Sequence, residues 1–220
     1  MLDHIKHIFN DLIDLFFPPT CLVCSDYLDR EVLICKKCLS SLNIHNNTEP
    51  DYIAVFQYDN NIRILIHELK YNNRPQVGYI LGREMAKKLL NIVNNENSVL
   101  LPVPLHKKRI KKRGFNQSRK ICEGFSDILN IPVIDDLILR KKDNISQTRL
   151  NSHRRSQNVK GIFCSGPQKI GKDKMILIVD DLITTGSTTR EIGKTLKTSG
   201  YRNYFSLCAA TSTKNDKVIQ

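Results

Sequence analysis

The sequence predicts an α/β fold built on a parallel sheet. Three observations carry that expectation. Ser98 to Val103 and Met175 to Val179 are continuous apolar runs, as in strands buried on both faces. Segments with helical spacing lie between the strand candidates, and strands alternating with helices argue for a parallel sheet. The length of 220 residues fits one α/β domain of ordinary size plus a small appended module.

The elements follow in order. Leu2, Ile5, Ile8, Phe9, Leu12, Leu15 and Phe16 form an apolar stripe of helical spacing that Pro18 and Pro19 stop. The stripe suits a helix packed on its own domain, or one lying on a partner or a membrane surface. Residues 20–48 are cysteine-rich and weakly periodic. Residues 52–58 read as a strand, and 61–70 and 78–94 as helices. The strand at 98–103 ends in Pro102 and Pro104. Residues 116–129 read as a helix and 137–140 as a short strand. Residues 141–160 are polar and basic, as in a long loop or lid. A helix at 187–199 ends near Gly200, and Tyr204 to Ala210 supplies the last strand. The expected division is a helix at 1–19, a cysteine module at 20–48, an α/β domain at 50–213 and a tail at 214–220.

Composition sets bounds. Hydrophobic residues make up 40% and charged residues 25%, as in a folded domain. No apolar stretch of membrane-spanning length exists. The first residues lack the basic start of a signal peptide, so a cytoplasmic location with reduced thiols is expected. Thirty-four Lys and Arg against 22 Asp and Glu leave a net charge of +12, which attracts polyanions such as nucleic acid. A merely solvated lysine-rich surface would give the same count.

The densest chemistry lies at 175–188. An apolar strand ends in Asp180 and Asp181, and Thr184, Thr185, Gly186, Ser187 and Thr188 lead into the next helix. A helix start offers unsatisfied N–H groups and the positive end of the dipole, which suits a phosphate. Gly186 lets the backbone approach phosphate oxygens, and the hydroxyls add donors. The two carboxylates would repel phosphate. They suit the hydroxyls of a ribose and a nearby hydrated cation. Simple capping of a helix by Ser and Thr would not need the acidic pair.

Cys21 and Cys24, then Cys35 and Cys38, form two CxxC turns ten residues apart. Four thiolates at this spacing suit one tetrahedral Zn²⁺ with no open position, hence a structural metal. Two disulfides or a redox CxxC fit a reducing compartment less well. In so short a module the metal should supply much of the folding energy. Cys122, Cys164 and Cys208 are dispersed among apolar neighbours and read as small core residues.

Residues 106–119 follow the strand that ends in Pro-Val-Pro, so they fall at the carboxyl edge of the sheet, where ligands bind in such folds. Half of them are Lys or Arg. Arg109, Arg113, Asn116 and Gln117 are the polar positions of this stretch expected to face pyrophosphate or DNA, together with Lys70 from the helix at 61–70. Lys107, Lys108, Lys111 and Lys112 are the expected DNA contacts, with a solvated charge run as the alternative. Arg140 to Arg155 is a second basic stretch. Only Phe115 is interleaved with the basic residues, so base stacking is expected to be minor.

The run at 175–188 resembles the signature of type I phosphoribosyltransferases for phosphoribosyl pyrophosphate (PRPP). The whole chain resembles the ComF family. That pattern is carried by the four cysteines, by Lys70 and Tyr71 in His-Glu-Leu-Lys-Tyr, and by Pro102 to Leu105. It continues through Arg109, Arg113 to Ser118, Gln147, Leu150, Arg155, Asn158 and Phe163, and ends in the Asp-Asp and Thr-Thr-Gly run. The resemblance implies a type I phosphoribosyltransferase domain with a zinc ribbon or knuckle. It lays the 5′-phosphate at Thr184 to Thr188 and the ribose hydroxyls at Asp180 and Asp181, with Mg²⁺ held mainly by PRPP. It also implies a role in natural transformation, with single-stranded DNA and a helicase-like ATPase as partners. The competing expectation is an active phosphoribosyltransferase working on an amine or base.

Overall fold

The computed structural model describes residues 14, 18–45, 49–141 and 161–212. The expected helix at 2–17 apart from Asp14, the tail at 214–220 and nearly all of the expected loop at 141–160, with Gln147, Leu150, Arg155 and Asn158, lie outside the described residues.

The described elements are α1 (Lys36–Ser40), β1 (Tyr52–Phe56), α2 (Asn60–Tyr71), α3 (Pro75–Leu89), β2 (Ser98–Pro102), α4 (Lys107–Arg113), α5 (Gln117–Leu129), β3 (Ile138–Arg140), β4 (Phe163–Ser165), β5 (Met175–Ile183), α6 (Ser187–Thr198) and β6 (Tyr204–Thr211). β1, β6, β5 and β2 form one sheet in that order, with every pairing parallel. The parallel α/β architecture is therefore as the alternation of elements predicts. β3 and β4 pair antiparallel as a separate hairpin.

Both faces of the sheet are covered. On one, α2 inserts Ile62, Leu65, Ile66 and Leu69 beside Leu81 and Met85 of α3 and Ile121 and Phe125 of α5. On the other, Ile192 and Leu196 of α6 pack with Ile138 and Phe163 of the hairpin and with Ile176 and Ile178 of β5. Helices α3 and α5 cross at glycine. A Cβ built on Gly82 would stand 2.0 Å from the Ile121 carbonyl oxygen, and one on Gly124 would stand 1.9 Å from that of Tyr79. No larger residue permits this approach.

The cysteine module does not stand apart. Cys21, Ile34, Cys38 and Leu42 are buried in the same core as α2 and α3. Its end lies along β1, where His45 N–H donates to the Val55 carbonyl at 3.0 Å and Gln57 N–H to that of Asn43 at 2.9 Å. This pairing covers an edge that would otherwise expose unpaired backbone.

Three local expectations change. β5 runs through the acidic pair to Ile183 and does not stop at Val179. Residues 107–113, with only Ile110 apolar, are helical. α3 stops at Leu89 although Ile92 and Val93 continue the apolar pattern. Ile92 is exposed, and Val93 lines a cavity of about 360 Å³ at the amino ends of the strands.

Candidate ribose-phosphate and polyanion site

The sheet brings its chemistry together at the carboxyl ends of β2 and β5. Asp180 and Asp181 are paired in register with β6, where Asp180 lies opposite Cys208. Asp181 is almost fully buried. Its Oδ2 makes no aligned hydrogen bond and is compensated instead by the Lys70 ammonium, 2.5 Å away. Lys70 reaches it from the last turn of α2. Burial alone would lower the Lys70 pKa. The Asp181 charge, with Asp180 behind it, outweighs burial and raises it.

Asp180 has different partners. Its Oδ1 accepts from Ser118 Oγ at 3.0 Å and from the Asp181 N–H at 3.0 Å. Burial, then the adjacent Asp181 charge, push its carboxyl up to about 7, against the pull of Lys70. The acidic pair thus joins a carboxylate salt-bridged to Lys70 with a neighbouring carboxyl pushed up to about 7.

The turn after β5 closes tightly around a glycine. Gly186 sits in the left-handed region at φ 66° and caps α6 without a side-chain hydrogen bond. Thr185 Oγ1 donates to Ser187 Oγ at 3.0 Å, and Thr189 Oγ1 donates to the Gly186 carbonyl at 3.0 Å. Asp180, Thr184, Thr185, Gly186, Ser187 and Thr188 line one small recess of about 40 Å³. Arg190 flanks it, bonded to the Thr185 carbonyl. Sequence reasoning missed Arg190. Its position one helical turn beyond Gly186 is the signal that could have found it.

Helix α4 leaves the carboxyl end of β2 after Val103. Lys107, Lys108, Arg109, Lys111 and Lys112 are all exposed on it. It ends at Gly114, φ 82°, whose N–H bonds back to Ile110. Arg113 turns inward. Burial lowers its pKa, while Asp181 is the strongest of the neighbours that raise it. Its guanidinium donates to Gln117 Oε1 at 2.5 Å. Asn116 caps α5, accepting from Ser118 N–H at 3.1 Å and donating from Nδ2 to the Val103 carbonyl at 3.1 Å. Of the four polar positions singled out on this stretch, Arg109 faces solvent and Arg113 turns in to bond Gln117 within electrostatic reach of the acidic pair. Asn116 and Gln117 serve to hold Arg113, Ser118 and the Pro-Val-Pro turn in place.

The four cysteine sulfurs of the module lie within 4.8 Å of one another. Cys35 N–H points at Cys21 Sγ at 3.4 Å and Cys38 N–H at Cys35 Sγ at 3.3 Å. Such N–H donors stabilise thiolates. Burial pushes the Cys21 thiol up, but the backbone donors of Cys35, Cys24 and Val23 outweigh it and bring it down to about 6. Sulfur chemistry and spacing fit one structural Zn²⁺.

Comparison with known proteins bears on both halves of the chain. Residues 12–49 match the double zinc ribbon domain family. They contain four cysteines, enough for one tetrahedral ion. Competence protein F of Haemophilus influenzae is 29% identical over 194 residues, covering 83% of this chain and 80% of its own. The DNA utilization protein YhgH of Escherichia coli K12 is 29% identical over 195 residues, covering 82% and 85%. A glutamine PRPP amidotransferase from B. subtilis superposes on 65% of this chain and 30% of its own, at 18% identity and a TM-score of 0.43. The resemblance to the ComF family thus holds over most of the chain, in proteins named for competence. Among the described residues, no helix is long and apolar enough to cross a membrane.

Proposed function

Taking the relationship to competence and DNA-utilization proteins as the premise, we propose that this chain binds PRPP at the β5–α6 turn and single-stranded DNA on the adjoining basic face. The observation that carries the first half is the recess that Asp180 shares with the Thr184–Thr188 turn, next to Asp181, which holds Lys70 and acts electrostatically on Arg113. The turn offers N–H and hydroxyl donors to the 5′-phosphate. The carboxylates accept from the ribose hydroxyls. Lys70 and Arg113 are the cations nearest the acidic pair and suit the diphosphate. A Mg²⁺ accompanying PRPP would be bound mainly by the ligand's own oxygens, with the acidic pair supplying negative charge nearby.

The second half rests on the exposure of four lysines and Arg109 on one short helix at the same end of the sheet, and on the names of the relatives. Calorimetric titration with PRPP and Mg²⁺ tests the pocket. Replacing Asp181 by Asn together with Thr185 by Ala abolishes the heat of binding while the circular dichroism spectrum is kept. An unchanged affinity would refute the pocket.

A further inference from the structure

Tyr71 is the last residue of α2, next to Lys70, and it is 70% exposed. It offers a large aromatic face to solvent at the end of a helix. It is not isolated. Its ring packs against His67, one helical turn back, with centroids 5.0 Å apart and planes tilted by 41°. Tyr71 is thus backed by His67 on one side and open to solvent on the other. Arg63, Ile64, His67 and Glu68 line a shallow cavity of about 350 Å³ that continues from it along α2.

The end of α2 lies beside the end of the basic helix. A Cβ built on Gly114, the residue after α4, would stand 3.6 Å from Asn73 Oδ1, two residues beyond Tyr71. Lys70 and Arg113 both feel the Tyr71 phenol electrostatically. An open aromatic face is therefore flanked by Lys70 and Arg113 and adjoins the exposed lysines of α4. Phe115, the one aromatic interleaved with the basic residues in sequence, is half-buried against the core and offers no such face. The fold supplies from α2 what the basic run lacks.

We infer that Tyr71, backed by His67, is a stacking platform for a base of a single strand whose phosphates run along α4. The inference rests on the strand-binding reading above and gives it a second, uncharged component. Aromatic faces accept any base, because every base has a π-surface, and cations alongside track the backbone. Stacked bases must be unpaired, so the platform selects single strands over duplex.

Fluorescence anisotropy at fixed salt, with an oligothymidylate and a matched abasic strand, tests this on the full chain. Tyr71→Ala weakens binding of the oligothymidylate by about 5- to 150-fold, the usual effect of losing one stacked base. Tyr71→Phe, which keeps the ring, stays within about twofold of wild type. The slope of log K against log salt is the same in all three, since no charge changes. Wild-type protein binds the abasic strand about as weakly as Tyr71→Ala binds the oligothymidylate. Equal affinity of wild type and Tyr71→Ala for both strands overturns the platform and leaves strand binding by α4 intact. Absence of any strand binding by the wild type overturns both. If Tyr71→Ala binds strands normally but loses affinity for thymidine monophosphate, the platform serves free nucleotides and the inference is wrong.

Discussion

Ser118 Oγ donates a hydrogen bond to Asp180 Oδ1 at 3.0 Å, joining two sequence motifs that lie 62 positions apart. Ser118 is fully buried at the start of α5, and Asn116 caps that helix while gripping the Val103 carbonyl. The stretch after β2 and the acidic end of β5 therefore form one structure. Ser118→Ala should remove one of two close donors from Asp180 and raise its carboxyl pKa further. Hydrogen bonds to charged groups contribute roughly 1.5–3 kcal/mol. PRPP affinity should fall about tenfold, at the weaker end of that range, and calorimetry with the Ala variant measures it.

Asp180 also sets a pH dependence. Burial and the neighbouring Asp181 raise its carboxyl from 3.8 to about 7. Between those values the folded chain holds a proton that the unfolded chain releases. Through this group, stability therefore rises as pH falls from about 7 towards 4, and is lost as pH rises through 7. Ligand hydroxyls need the ionised acceptor, so PRPP affinity should move the other way and increase from pH 6 to 8. The phosphates of PRPP titrate nearby as well. Asp180→Asn isolates the protein's share, and its affinity should vary less over that interval.

The four lysines of α4 can be tested without damage to the fold. All are exposed, and Lys107 with Lys111, like Lys108 with Lys112, are like charges one helical turn apart. Changing the four to Ala relieves that repulsion and introduces the best helix former. The helix should persist while single-stranded DNA binding weakens and its salt slope flattens, by about 0.7 for each phosphate no longer neutralised. A quadruple variant with the wild-type slope would remove α4 from the DNA site.

Zinc should matter beyond its own module. The protein should carry about one Zn²⁺ per chain, as a four-thiolate site requires. Cys35 is central to the cluster, since its sulfur lies 3.8 Å from that of Cys24 and accepts from Cys38 N–H. Cys35→Ser should lose the metal. Because residues 43–45 pair with β1, hydrogen exchange at the His45 amide should then accelerate. A metal-free wild-type protein with that amide still protected would contradict the assignment.

Much of this was legible in the sequence because period and punctuation agreed. Both β2 and β5 are apolar on both faces, and Pro102, Gly186 and Gly200 mark ends that the structure keeps. The Thr184–Thr188 turn stood out in the sequence because its hydroxyls and Gly186 crowd into one short run after the acidic pair. What escaped needed three dimensions. Helix α4 has almost no apolar stripe, since it rests on little and is held by its caps, His106 and Gly114. The roles of Asn116 and Gln117 depend on Val103 and Arg113, which spacing alone does not bring near. Tyr71 reads in sequence as one more residue at a helix end. Its nearness to Arg113 comes from the way α2 and α4 converge.

The contact between Lys70 and Asp181 gives the pocket its own internal counter-ion. A ligand that engages Asp181 with hydroxyl donors does not meet a bare carboxylate; it displaces a resident cation. Under the proposed function, binding there is an exchange. A molecule offering hydroxyls alone would strand the ammonium, whereas one carrying hydroxyls and a diphosphate gives the released charge somewhere to go. On the proposed PRPP reading, that single side chain favours the pyrophosphorylated sugar over its monophosphate.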